Sequence, residues 1–222
     1  MTWFSALQLN PQRRHARRYI ADPQSLHAAV LNAFPPQYHH DGGRTLWRLD
    51  ASDLDYMLYI VSPDAPDLSA LHESSSWAQT PPRSTEYDGF LSRLRKGQKW
   101  EFRLRANPVK AIPREGQRGK IVPYITAEQQ LRWLVDRSPR HGFSIGTMAE
   151  PESLTAFVTG KADRRFTRRE AGSGSRHTVT LRQAQFDGAL VVEDVAAFRK
   201  ALTDGIGRGK AYGCGLMTLK RG

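Results

Sequence analysis

Cysteine is almost missing from this chain of 222 residues: Cys214 stands alone. No internal disulfide can form, and a zinc site built on several thiolates is excluded. That usage favours a reducing compartment, so a cytoplasmic location is expected. Long apolar runs are lacking as well. No stretch approaches the ~20 apolar residues of a membrane-spanning helix, and no membrane partner is expected. Met1 to Asn10 has neither a basic head nor an extended apolar segment, so it does not read as a secretion signal. Paired carboxylates and His/Asp groups at metal-ligand spacing are also lacking. Neither a metal nor another cofactor is expected.

Positive charge is present in excess. Lys and Arg number 33 against 22 Asp and Glu, a formal net charge of +11. Most of the excess is arginine, whose planar fork suits phosphate and base edges better than the point charge of lysine. The basic residues cluster in short segments, and no amphipathic membrane helix accompanies them. The partner class this favours is nucleic acid rather than anionic lipid. The length suits two units of about 100 residues each, and a hydrophobic content of 39% supports a core in both.

The order of elements repeats. Residues 2–9 read as a first strand, followed by the basic stretch Arg13, Arg14, His15, Arg17 and Arg18. Asp22-Pro23 starts a helix, with Asp as cap and Pro in the first turn. Leu26, Ala29, Val30, Ala33 and Phe34 then recur at helical spacing. Strands are predicted at 44–51 and 56–62, the second apolar almost throughout and therefore central. A short helix near Leu68 to Glu73 and a last strand from Tyr87 to Leu94 complete β-α-β-β-α-β. Lys96-Gly97 reads as a junction between units 1–95 and 98–222.

The second unit begins with a strand at 100–112, where Phe102, Leu104 and Ala106 alternate with Arg103, Arg105 and Asn107. A basic loop at 113–120 and a helix capped by Thr126 come next. Strands follow at 153–159, 162–168 and 177–192. The arginine-dense segment from Lys161 to Arg169, with AGSGSR after it, reads as a hairpin or arm with a mobile loop. A helix from Glu193 to Thr203, a glycine-rich run and a final strand LMTLK close a second β-α-β-β-α-β set. The fold class expected is α+β, with two tandem ferredoxin-like (RRM-like) domains and a groove between them.

The glycine-rich run GIGRGKAYGCG, residues 205–215, is the most distinctive segment. Five glycines in eleven residues allow close backbone approach to a phosphate, with Arg208 and Lys210 adding charge. It is not a P-loop, because Asp204 and Ala211 occupy positions that motif reserves for Gly and Ser/Thr. It is not a dinucleotide fingerprint, because Tyr212 replaces the third glycine and a helix precedes it. The other reading is a tight helix-to-strand connection that needs positive φ.

FRLRANPVK at 102–110 together with GIGRGKAYGCGLMTL at 205–219 closely resembles the CRISPR-repeat endoribonucleases of the type I-E Cascade complex, the CasE family of the RAMP superfamily. The likeness takes in the first strand, the helix carrying His27 and the RTLWRL strand, and so nearly the whole chain. It implies a protein that binds the stem-loop of CRISPR repeat RNA. Cleavage falls at the 3′ base of the stem, without metal, by attack of the ribose 2′-OH. The mature crRNA is retained and other Cascade subunits are partners. In that family a first-helix histidine, three residues after a tyrosine, lies at the scissile phosphate. The matching positions here are His27 and Gln24.

An imidazole with a pKa near 6.5 can give or take a proton at neutral pH, so His27 is the candidate catalytic residue. Glutamine can bond a phosphate oxygen but cannot do acid–base work. A second group would then come from Tyr19, Lys210, Arg18 or His15, or the chain holds its hairpin without cutting it quickly or at all. An unrelated enzyme acting on a phosphate ligand through the glycine-rich run is a third reading. Candidate RNA-binding residues are Arg17, Arg18, Gln24, Arg103, Arg105, Asn107 and Lys110. The arm adds Lys161, Arg164, Arg165, Arg168 and Arg169, and the glycine-rich run adds Gly207, Arg208, Gly209 and Lys210. The tryptophans read mainly as core.

Overall fold

The computed structural model describes residues 1–35, 43–52, 55–114, 116–148, 153–169 and 176–221. Strand β1 (Trp3–Leu9) leads into helices α1 (Arg14–Ala21) and α2 (Pro23–Leu31). Strands β2 (Leu46–Ser52) and β3 (Asp55–Ser62), helix α3 (Ser69–Ser75), strand β4 (Arg83–Glu86) and the single turn α4 (Asp88–Leu91) follow. Strand β5 (Lys99–Ala106), the β6 (Val109–Arg114) and β7 (Gln117–Pro123) hairpin, and helix α5 (Ala127–Val135) open the second half. Short strands β8 (Phe143–Ser144), β9 (Thr147–Met148) and β10 (Ser153–Leu154) precede the long pair β11 (Ala156–Arg169) and β12 (Arg176–Val192). Helix α6 (Val195–Asp204) and strand β13 (Met217–Lys220) complete the described chain.

Two antiparallel sheets share one permutation. The first runs β2-β3-β1-β4, and the second runs β11-β12-β5-β13 with β8 pairing to the end of β12. In each, the third strand sits between the second and the first. Strand β3 is thus interior, as its continuous apolar run predicts. The helix starts follow local chemistry. Asp22 accepts from the backbone N–H groups of Gln24 and Ser25, and Thr126 with Gln129 forms a reciprocal capping box.

Four expectations need correction. The fourth strand is Arg83–Glu86 rather than Tyr87–Leu94, because it is an edge strand with all four residues exposed and so no apolar alternation. Tyr87, Leu91 and Leu94 are buried, and their spacing of four and three is helical. Of the segment at 113–120, expected as a loop, the residues up to Arg114 and from Gln117 lie on the paired strands β6 and β7. The strands predicted at 153–159 and 162–168 are largely one strand, and the break between them is a bulge at Val158/Gly160. The strand predicted at 100–112 ends at Ala106, and Val109–Arg114 is a separate strand of the hairpin.

Two apolar clusters hold the molecule. One lies between the first sheet and its helices, and includes Leu7, Leu26, Val30, Trp47, Leu58 and Ile60. The other belongs mostly to the second half but takes in Leu46, Val61 and Tyr87 from the first. Strand β2 therefore has two buried faces: Trp47 and Leu49 turn to the helices, and Leu46 and Arg48 turn to the second half.

Arg48 is 1% exposed. Its guanidinium donates to Asp50 at 2.7 and 2.9 Å, to the carbonyls of Arg103 at 2.7 Å and Leu216 at 3.0 Å, and to Thr218 Oγ1 at 2.7 Å. All five N–H donors are thereby used. Removing one partner of a buried charged network leaves the rest unpaired, at a cost of about 3–5 kcal/mol. Arg48→Ala is expected to lower unfolding free energy by that order in urea titrations, with both halves losing structure together. An unchanged midpoint would show that the apolar cluster alone joins them.

Candidate nucleic-acid interface

A cleft with a cavity volume of about 150 Å³ opens between the two halves. Tyr19 and Pro23 form its rim from α1 and α2, and Trp47 contributes from β2. Across from them stand Arg105 on β5, Lys161 and Arg164 on β11, and Tyr212 from the glycine-rich run. One wall is aromatic and apolar, and the other carries cations.

His27 is half-buried on α2 and is not itself in the lining, to which its neighbour Leu26 and its partner Trp47 belong. Its Nδ1 accepts a hydrogen bond from the indole Nε1 of Trp47 at 3.3 Å. A neutral imidazole that accepts at Nδ1 carries its proton on Nε2, so Trp47 selects the tautomer. Trp47 is itself wedged by the glycine-rich run. Gly213 has φ 77°, and a Cβ there would come within 2.7 Å of the indole ring. Sequence position suggested that Trp47 is core, which its 3% exposure bears out. Its polar edge, twenty residues away from the histidine it orients, gave no signal in the sequence.

The run 205–215 is a tight connection from α6 to β13. Gly205, Gly207, Gly209, Gly213 and Gly215 all have φ between 76° and 95°. Gly207 lies against the Trp133 ring, where a Cβ would approach to 3.0 Å. Asn107 and Arg208 form an isolated backbone bridge, which brings the two recognition segments 102–110 and 205–219 into contact. Lys210 donates to the carbonyl of Asp204. Burial and then Arg44 push its pKa below the ordinary lysine value, with Asp204 opposing.

The remaining cations fall into different settings. Arg17 and Arg18 are exposed on α1, and they donate to the Gln12 carbonyl at 3.2 Å and to Ser25 Oγ at 3.0 Å. Gln24 shares the first turn of α2, and its buried Oε1 has no hydrogen-bond partner. Arg103 pairs with Asp187 at 2.5 Å and with Asp50 at 3.6 Å. Arg105 is mostly desolvated, which lowers its pKa, and it donates to the Leu49 carbonyl at 2.6 Å and Gln185 Oε1 at 3.0 Å. These two arginines, expected on an open strand face, are thus already engaged with protein groups. Lys110 is exposed above the Tyr124 ring at 5.6 Å.

In the arm, Lys161 and Arg164 reach the cleft while Arg165 is exposed. Phe166 packs on Tyr212 at 4.6 Å between ring centres, which ties the arm to the glycine-rich connection. Arg168 and Arg169 lie on β11, but their side chains and residues 170–175, where a mobile loop was expected, fall outside the described residues. Sequence reasoning missed Arg137, Arg140 and His141. They follow α5 and gather at a second cleft; the only signal was the short basic string around Ser138-Pro139. Among the described residues no group of three or more His, Cys, Asp or Glu lies together, and no helix is long and apolar enough to cross a membrane.

A family model described as CRISPR associated protein matches residues 2–221. The chain is 30% identical over 220 residues to the CRISPR-associated endoribonuclease Cse3 of Thermus thermophilus, covering 98% of this chain and 99% of that one. It is 26% identical over 217 residues to the CRISPR system Cascade subunit CasE of Escherichia coli, covering 92% and 94%. Its structure is similar to that of CRISPR endoribonuclease Cse3 bound to 19 nt RNA, with a TM-score of 0.80, 28% identity and 98% of each chain covered. With its whole length matched in sequence and in fold, the chain belongs to the Cse3/CasE family of CRISPR-associated endoribonucleases of type I-E Cascade.

Proposed function

We propose that this protein is a metal-independent endoribonuclease that binds the stem-loop of CRISPR repeat RNA, cuts at the 3′ base of the stem and keeps the mature crRNA as a Cascade subunit. The observation that carries the reading is the Trp47–His27 hydrogen bond beside a cleft lined by Arg105, Lys161 and Arg164. The relatives named Cse3 endoribonuclease and Cascade subunit CasE support the substrate and the partners. The identical strand permutation of the two sheets supports two ferredoxin-like units, 1–95 and 98–222, that flank the RNA.

In the reaction the 2′-OH attacks the adjacent phosphorus, the bond from phosphorus to the 5′ oxygen breaks, and a 2′,3′-cyclic phosphate forms. To protonate the departing 5′ oxygen His27 must act as an imidazolium, so the neutral ring that accepts from Trp47 first takes up a proton at Nδ1 and the Trp47 N–H gives way. The proton of the 2′-OH needs a separate acceptor. Of the four candidates, Tyr19 stands on the cleft rim, Arg18 and His15 share its helix, and Lys210 lines the second cleft instead and donates to the Asp204 carbonyl. Gln24, with its unpartnered Oε1, is suited to bind rather than to transfer a proton. The second reading, a hairpin-holding subunit with little or no cleavage, is favoured by that glutamine.

Single-turnover cleavage of the repeat hairpin in excess EDTA separates the two. The expected result is cutting of the all-ribose hairpin and none of a hairpin with 2′-deoxyribose at the scissile position. His27→Ala should slow cutting by about 100-fold or more, with hairpin affinity within a few-fold. Normal cutting by that variant would remove His27 from the mechanism. Tight binding of intact RNA by the unaltered protein would establish the holding subunit. The arm has its own test. Replacing Arg164 and Arg165 with Ala is expected to weaken hairpin binding and flatten the dependence of log affinity on log salt by about one or more. An unchanged slope would mean that the arm touches no phosphate.

A further inference from the structure

On the far side of the glycine-rich connection lies a second cleft, with a cavity volume of about 410 Å³. Its lining contains Arg137, Arg140, Arg208 and Lys210 and, among the described residues, no carboxylate. Asp136 and Asp204, outside the lining, offset Arg137 and Lys210 only in part, and His141 records the excess of positive charge. Burial first, and then Arg140, Lys210 and Arg137, hold His141 down at about 4, so its ring is neutral at pH 7. Arg137 stacks on Trp133 with its guanidinium carbon 4.7 Å from the ring centre, which keeps that charge at the cleft wall.

Three residues of the lining each carry a buried polar atom without a hydrogen-bond partner: Asn107 Oδ1, Trp133 Nε1 and His141 Nε2. Asn107 is 7% exposed and Trp133 is 2% exposed. Buried polar atoms are nearly always satisfied, so three orphans on residues around one cavity point to a ligand that supplies what they lack. Their types define it. Trp133 Nε1–H can only donate, which calls for an acceptor such as a phosphate oxygen. Asn107 Oδ1 can only accept, which calls for a hydroxyl or amine on the same ligand. The surrounding arginines call for negative charge.

We infer that this cleft is a binding site for one ribonucleotide unit. Its phosphate would lie among Arg137, Arg140, Arg208 and the Trp133 indole, and a ribose hydroxyl or base amine would donate to Asn107 Oδ1. The ribonucleotide is either part of a single-stranded segment flanking the bound hairpin or a free mononucleotide. The first source rests on the RNA-binding reading above, and the second does not.

The indole N–H signal of Trp133 in isotope-labelled full-length protein, assigned with Trp133→Phe, reports on the cleft directly. Titration with adenosine 5′-monophosphate is expected to move it saturably, and inorganic phosphate to act more weakly because it offers nothing to Asn107. Arg140 and Arg208 are both exposed, so replacing them tests the ligand and not the fold. Arg140→Ala with Arg208→Ala should weaken nucleotide binding by about tenfold or more, the range of lost charge-assisted hydrogen bonds. A hairpin with a single-stranded flank that moves the signal and excludes the mononucleotide, where a trimmed hairpin does neither, would assign the site to the RNA chain. A mononucleotide shift that neither RNA affects would assign it to a free nucleotide. A Trp133 signal indifferent to mononucleotide and to both RNAs would overturn the inference, and hairpin cleavage measured in the same samples would still judge the endoribonuclease reading by itself.

Discussion

Arg48 is a cation with no access to water, and the relation between the two sheets is built around it. Its carboxylate partner is on its own strand, but three of its five hydrogen bonds cross to the second half, to the backbone of β5 and to the segment that ends in β13. Hydrocarbon packing through Leu46, Val61 and Tyr87 supplies area but tolerates sliding. A guanidinium with every donor committed tolerates very little, because a shift of an ångström leaves a buried charge unsatisfied. The cleft depends on that registration. Trp47 is the next residue on β2, and it faces the helices because Arg48 faces the other way. The imidazole it orients therefore inherits its position from a residue that touches neither His27 nor the cleft.

The glycine-rich connection serves as a partition. Tyr212 and Gly213 face the first cleft, and Gly205, Gly207, Arg208 and Lys210 face the second. A thin wall can separate two cavities only if its backbone passes close to what lies behind it. Positive φ and the absence of Cβ allow that approach to Trp47 on one side and Trp133 on the other. The two readings of these glycines, close backbone approach to a ligand and tight chain reversal, are thus compatible in a single segment.

Local signals in the sequence were faithful where local physics decides. Asp22-Pro23 and Thr126 marked helix starts, and the alternation from Trp100 to Ala106 marked a strand. They failed where tertiary context decides. Strand β4 is written in Arg, Ser, Thr and Glu, because nothing covers it and its neighbour supplies the pairing. Arg48 looks like a solvent-facing residue of an alternating strand until the second half closes over it. The histidine was legible from its helix and from family likeness. The indole that selects its tautomer was not, because that contact crosses from α2 to β2. Arg103 and Arg105 looked like open cations on a half-buried strand, and only the fold brings Asp187, Leu49 and Gln185 to them.

The sequence distance spanned by Arg48 has a bearing on how the chain is made. Leu216, whose carbonyl it needs, is 168 residues further along. At ribosomal rates of about 5–20 residues per second, roughly ten to thirty seconds separate the two. Once strand β3 is made, the nascent first half can bury Leu7, Leu26 and Ile60 under its own helices, while the opposite face of β2 waits with an arginine and a leucine side by side. The first half is thus synthesised with a socket already formed and its plug not yet made. Arg48 gains its last partner only when the segment around Leu216 docks on β2.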